Sequence, residues 1–93
     1  MSLIRWDAAD YLDDDDAIIA YLNEAAAQDD PKLLQAALGD IARAKGMRGI
    51  AEQVGVGHES LYKSLSGAGN PSFQTVARVV RALGGRITIT TAA

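Results

Sequence analysis

The stretch MRGIAEQVGVGHESLYKSLS, residues 47–66, decides the fold. Ile50, Ala51 and Val54 fall at i, i+1 and i+4, on one face of a short helix. Gly55 follows at once and suits a left-handed helix end, which glycine enters freely. Val56 is a lone apolar plug, and His58–Leu65 reads as a second short helix with Leu61 and Leu65 at i and i+4. Two short helices joined by a tight Gly-containing turn form the helix-turn-helix pattern. Ala51 lies where the two helices would cross closely, so a larger side chain there would push them apart. The spacing points to a DNA-binding element, although an ordinary helical hairpin in a core would share it.

The chain has 93 residues, the size of a single domain. A chain this short buries roughly 60–65% of the surface its unfolded form exposes, enough for one modest core. No long apolar span exists, so a membrane-crossing helix is not expected. The N-terminus lacks a basic region followed by an apolar run, so no secretory signal is expected. The absence of cysteine removes disulfides and thiolate metal sites, and fits a cytoplasmic location.

The net charge of −3 is poorly matched to DNA, but it hides a split. Residues 1–40 hold two basic side chains, Arg5 and Lys32, against ten acids, a net of −8. Residues 41–93 hold seven basic side chains against Glu52 and Glu59, a net of +5. A basic half that carries the helix pair can meet phosphate while the acidic half faces elsewhere, toward a cationic partner.

Working outward toward the N-terminus, Asp30-Pro31 restarts a helix, with Asp30 as N-cap and Pro31 where a missing N–H costs nothing. Leu33, Leu34, Ala37, Leu38, Ile41 and Ala42 keep helical phase to Lys45, and Gly46 ends the helix. Before it, Ile18, Tyr21, Leu22 and Ala25 predict a helix over Asp14–Gln28. The run Asp13–Asp16 lacks the Gly bend and closing Glu of a calcium loop, and reads instead as acids favoured at a helix N-terminus. Further back, Leu3, Ile4 and Trp6 have weak strand character, and Asp7 suits the cap of a turn over Ala8–Leu12.

Toward the C-terminus, Ser66–Pro71 (SGAGNP) is a loop, and not a phosphate-binding P-loop, because no Lys-Ser/Thr pair follows its glycines. Ser72 caps a last helix whose inner face reads as Phe73, Val76, Ala77, Val80 and Leu83, ended by Gly84-Gly85. Arg86–Thr90 alternates strictly and is rich in β-branched residues, which predicts a C-terminal strand over 86–91. A lone strand leaves its backbone groups unpaired, so it needs the weak N-terminal strand, a second copy of the chain or another protein.

Nothing in the sequence organises catalysis. His58 is the sole histidine, at the exposed start of the second helix, and no serine lies in a nucleophile-elbow context. No motif calls for a cofactor or a small-molecule substrate. In a docked helix-turn-helix the first part of the second helix meets base edges. The outward residues there are His58, Glu59, Tyr62 and Lys63, with Ser60 between the outward and inward sets and Tyr62 equally able to pack inward. Lys63 suits guanine or phosphate, and Glu59 suits cytosine N4. Arg48 is a phosphate-clamp candidate, with Ser66 and Asn70 as weaker ones.

The segments Asp7–Leu12, Ile18–Leu22, Ala37–Ala42, Leu61–Leu65, Gly69–Phe73 and Arg81–Gly84 together resemble the addiction-module antidote proteins, the antitoxins of toxin–antitoxin pairs with a lambda-repressor/Cro-like domain. The chain departs from that family's pattern at Arg48 and Gly49, where Ser/Thr and Gln are usual. It also departs at Gly57, commonly Ser, and at Ser64, commonly apolar. The resemblance implies a cytoplasmic bacterial protein that binds a RelE/ParE-type toxin and represses its own operon.

The expectation is therefore a mainly α, five-helix, lambda-repressor-like domain with a C-terminal β-strand. It comprises an acidic N-terminal extension (1–30), a helical core (31–85) and the strand (86–91). Its core is expected to include Ile41, Ile50, Val54, Leu61, Leu65, Val76, Val80 and Leu83. Its expected partners are operator DNA, a cognate toxin and a second copy, since operators are read by two-fold dimers. Two other functions fit the residues: a stand-alone transcriptional regulator, or a protein-association module built on a degenerate helix-turn-helix.

Overall fold

The structure is a computed structural model and describes residues 15–92. Five helices are present among those residues: α1 (Asp15–Ala26), α2 (Pro31–Lys45), α3 (Met47–Val54), α4 (His58–Leu65) and α5 (Phe73–Ala82). The readings of Leu3–Trp6, of Asp7 and Ala8–Leu12, and of Asp13 and Asp14 lie outside the described residues. Asp15 and Asp16 do occupy the first turn of α1, where the helix dipole favours them.

Local chemistry sets the helix boundaries. The Asp30 carboxylate accepts a hydrogen bond from the Lys32 N–H at 3.0 Å, and Pro31 takes the first helical position. Arg43 and Lys45 sit in the last turn of α2, and Gly46 closes that helix and opens α3. Gly55 ends α3 with φ 88° and ψ 28°, a left-handed conformation that a Cβ would strain. Ser72 accepts from the Thr75 N–H at 3.1 Å to start α5.

The core lies where α2 meets the other four helices. Ile18, Leu38, Ile41, Leu61, Leu65, Val79 and Leu83 are its largest fully buried side chains. Ile50, Ala51 and Val54 join them from α3, as the spacing predicts. Each buried aliphatic side chain of this size contributes about 1.5–3 kcal/mol relative to exposure. α1 packs along α2, whereas α5 packs on α2 and α3. No described helix is long and apolar enough to cross a membrane.

Two expectations are corrected. The first is the C-terminal β-strand. Residues 85–92 belong to no helix or strand, and no β-strand exists among the described residues. Alternation in Arg86–Thr90 records a local preference for extended backbone, but a strand is defined by its partner, and none is present there. The second is the inner face of α5. Val79 is fully buried, Val76 and Val80 are partly buried, and Phe73 is 74% exposed. The stripe 73–76–80–83 has the right period, but Phe73 stands on the first turn, where no described element covers it.

Candidate nucleic-acid interface

α3 and α4 are eight-residue helices joined by Gly55–Gly57. Leu61 and Leu65 turn into the core at 1% exposure each, so the opposite side of α4 is obliged to face solvent. Glu59, Ser60, Tyr62 and Lys63 are exposed, and His58 is half-buried at the helix start. Tyr62 does not pack inward: it is 51% exposed, and the Arg43 guanidinium lies 5.7 Å from its ring centroid. Such a contact is worth about 0.5–1 kcal/mol at an exposed site and limits where the phenol can swing. Arg43 is itself held by Asp40, with Nη2 2.6 Å from Oδ1.

Arg48 is exposed near the start of α3, one turn before the exposed Glu52. Asn70 is exposed in the loop after α4. Ser66 is committed locally, its hydroxyl donating to the Lys63 carbonyl at 2.7 Å as α4 ends. Ser64, where the resembled family is commonly apolar, donates its hydroxyl to the Ser60 carbonyl at 2.9 Å and so stays half-buried without an unsatisfied group. Gly57 offers no side-chain oxygen to the first turn of α4. The structure therefore brings His58, Glu59, Ser60, Tyr62 and Lys63 together on one helix. Arg48 lies on the adjoining helix, and Ser66 and Asn70 lie in the loop that follows.

Family comparison agrees with the segments quoted above. Residues 2–91 match the family described as probable addiction module antidote protein. The chain belongs to this family. A Haemophilus influenzae relative described as an uncharacterized protein is 49% identical over 78 residues, covering 84% of this chain and 80% of the relative. No solved structure matches the chain.

Two features of the protein's surface are not legible in the sequence. Gln35 of α2 reaches across to the end of α4, its amide nitrogen lying 3.2 Å from the Ser64 carbonyl, 2.6 Å from that of Ser66 and 3.1 Å from that of Gly69. Lys32 donates to the same Gly69 carbonyl at 3.1 Å. Gly69 passes so close to the end of α4 that a Cβ would collide with the Lys63 and Ser64 carbonyls. Arg43, in the last turn of α2 with its guanidinium over the Tyr62 ring, is the second feature. Neither Gln35 nor Arg43 carries a periodic signal, because each acts on residues far along the chain.

The charge of the basic half is also spread more widely than the sum implies. On α3 and α4, Arg48 and Lys63 are matched by Glu52 and Glu59. Arg78 turns back to the Val54 carbonyl at 3.4 Å, and Lys45 faces Asp15 at 4.0 Å. Lys32 and Arg43 from α2 supply the additional cations beside α4. Among the described residues, no group of three or more His, Asp or Glu side chains is disposed to hold a metal.

Proposed function

We propose that the protein binds operator DNA with α3 and α4 acting as a helix-turn-helix, represses its own operon in the cytoplasm as a homodimer, and acts as an antidote by binding and neutralising a RelE/ParE-type toxin. The observation that carries the DNA half is the division of α4. Leu61 and Leu65 anchor it, and its outward side presents His58, Glu59, Ser60, Tyr62 and Lys63 on an exposed rod that a major groove can admit. The missing side-chain cap at Gly57 leaves first-turn N–H groups to meet a phosphate oxygen. Arg48, Lys32 and Arg43 flank the helix as phosphate partners, with Ser66 and Asn70 contributing from the loop. The toxin half rests on family membership for a toxin in general and on the resemblance for its class. The chemistry is recognition, not turnover.

One observation favours a second reading. The charges of α3 and α4 cancel, which suits a protein-association surface better than most DNA-binding faces. Binding titrations with a duplex from upstream of the protein's own reading frame, and with a scrambled duplex, separate the two readings. The DNA reading predicts preference for the upstream duplex and a fall of log affinity with log salt of about 0.9 per phosphate contact. Arg48→Ala should weaken both duplexes alike and make that slope shallower by about one contact. Lys63→Ala should relax preference at one base pair by about 1–3 kcal/mol if it reads guanine, and behave like Arg48→Ala if it holds phosphate. Glu59→Ala should raise non-specific affinity and blur one position. Failure of a folded dimer to bind either duplex at low salt would establish the protein-association reading. Failure of the product of the adjoining reading frame to co-purify with the protein would remove the toxin half.

A further inference from the structure

Four side chains from three helices meet beside the outward side of α4. Asp40 and Arg43 stand at i and i+3 on α2, with Nη2 of Arg43 2.6 Å from Oδ1 of Asp40. The other carboxylate oxygen of Asp40 accepts from the Tyr21 hydroxyl of α1 at 3.4 Å. Both oxygens are thus engaged, and α1 helps to aim the carboxylate. Gly39 completes the seat. A Cβ there would lie 3.3 Å from Arg43 Nη1 and 3.0 Å from the Leu65 carbonyl oxygen, so the missing side chain makes room for the guanidinium and for the end of α4. From this seat Arg43 extends over the ring of Tyr62 on α4, 5.7 Å from its centroid.

This chain of contacts adds little to stability. The Arg43 side chain is 40% and the Asp40 side chain 46% exposed, and ion pairs that open to water are worth little. Its effect is on one exposed ring. A tyrosine on the solvent side of a helix otherwise exchanges among staggered rotamers, and holding it in one of them before binding removes an entropy cost from association.

We propose that Tyr62 is a specificity-determining residue, preset by Arg43 and Asp40 to receive the 5-methyl group of a thymine in the major groove. The proposal rests on the DNA reading of α4 and goes beyond it in naming the base and the residues that position its reader. Two observations select thymine. Arg43 covers one face of the ring, and what stays open of Tyr62, 51% of the residue, offers an aromatic face and edge. The apolar group that base pairs display in the major groove is the thymine methyl. On the same side of α4, Lys63 and Glu59 already supply the polar partners for guanine and cytosine, so Tyr62 is the apolar member of the set. Asp40 and Arg43 are positioning residues, acting on specificity through the ring. The guanidinium has five N–H donors, so its bond to Asp40 leaves others for phosphate.

The test uses the full chain and a duplex from upstream of its own reading frame, in which each thymine in turn is replaced by deoxyuracil, which lacks only the methyl. One replacement per half-site should weaken wild-type binding about fourfold, the worth of one buried methyl group. Tyr62→Phe should keep that discrimination, and Tyr62→Ala should abolish it. Asp40→Asn should cut it to less than about twofold while Tm stays close to wild type. Arg43→Lys, which keeps the charge but not the planar group, should do the same. In the free protein, the Arg43 side-chain protons should be shifted upfield by the Tyr62 ring, and Asp40→Asn should return them toward unstructured values.

A protein that prefers the upstream duplex but shows no uracil effect dependent on Tyr62 overturns the proposal and leaves the DNA reading standing. A protein that binds neither the upstream nor a scrambled duplex removes the DNA reading and this proposal with it. Full discrimination in Asp40→Asn and Arg43→Lys, or unshifted Arg43 protons in the wild type, overturns the positioning. Discrimination lost only together with a large fall in Tm also overturns it, since Asp40 then supports the fold and not the ring.

Discussion

Replacing Gln35 by Ala removes the side chain that ties α2 to the end of α4. An amide NH₂ carries two protons, so the three carbonyls it approaches, those of Ser64, Ser66 and Gly69, share two hydrogen bonds. At about 1 kcal/mol each the loss is about 2 kcal/mol. Water reaching the freed carbonyls lowers that figure, and the Gly69 carbonyl keeps the Lys32 ammonium. A destabilisation of about 1–3 kcal/mol is expected in urea unfolding, equivalent to a Tm decrease of about 5–20 °C for a domain this size. Gln35→Glu separates hydrogen bonding from packing, because it keeps the stem but points carboxylate oxygens at carbonyl oxygens. It should destabilise at least as much as Gln35→Ala. Lys32→Ala, at an exposed contact, should stay within about 0.5 kcal/mol of wild type. If Gln35→Glu unfolds with the wild-type midpoint and slope, the amide is not a brace and the reasoning fails.

Leu61→Ala should cost about 2–4 kcal/mol in the same assay, since Leu61 is 1% exposed and its cavity would open beneath α4. Gly69→Ala should lower Tm clearly and loosen amide-exchange protection at the end of α4, because its Cβ meets the Lys63 and Ser64 carbonyls; an unchanged Tm would show that the loop relaxes freely. The Tyr21 hydroxyl is raised above its ordinary pKa, first by burial and then by the charge of Asp40 and a 3.4 Å hydrogen bond to it. Its neutral form is thus favoured in the folded state. That contribution is full below pH about 10 and is lost as pH rises through the folded value. Tm measured on the alkaline side should fall less steeply for Tyr21→Phe than for wild type.

The parts of the fold that were legible in the sequence are those fixed by neighbours a few residues apart. The Asp30-Pro31 cap, the left-handed Gly55, the Ser72 cap and the buried set Ile50, Ala51, Val54, Leu61 and Leu65 all follow from local spacing and side-chain chemistry. Phe73 was placed on the inner face and is exposed, and the buried Val79 was not picked out, because periodicity defines a stripe but not how far the facing helices extend along it. The strand at 86–91 was misread for a related reason: alternation describes one chain segment, and pairing needs two. For the candidate site, the outward side of α4 followed from the inward Leu61 and Leu65. The brace from Gln35 and the stacking of Arg43 on Tyr62 did not, because both join residues 19 or more positions apart through side-chain geometry alone.

On the proposed reading, α4 and its flanks are the surface that meets DNA. Amide chemical-shift mapping of the labelled protein with a duplex from upstream of its own reading frame tests this residue by residue. Perturbations are expected at Arg48, across His58–Lys63 and through Ser66–Asn70, with α1 and residues 86–92 silent. Perturbations confined to α1 and the C-terminal segment, with α4 unchanged at saturating duplex, would contradict it.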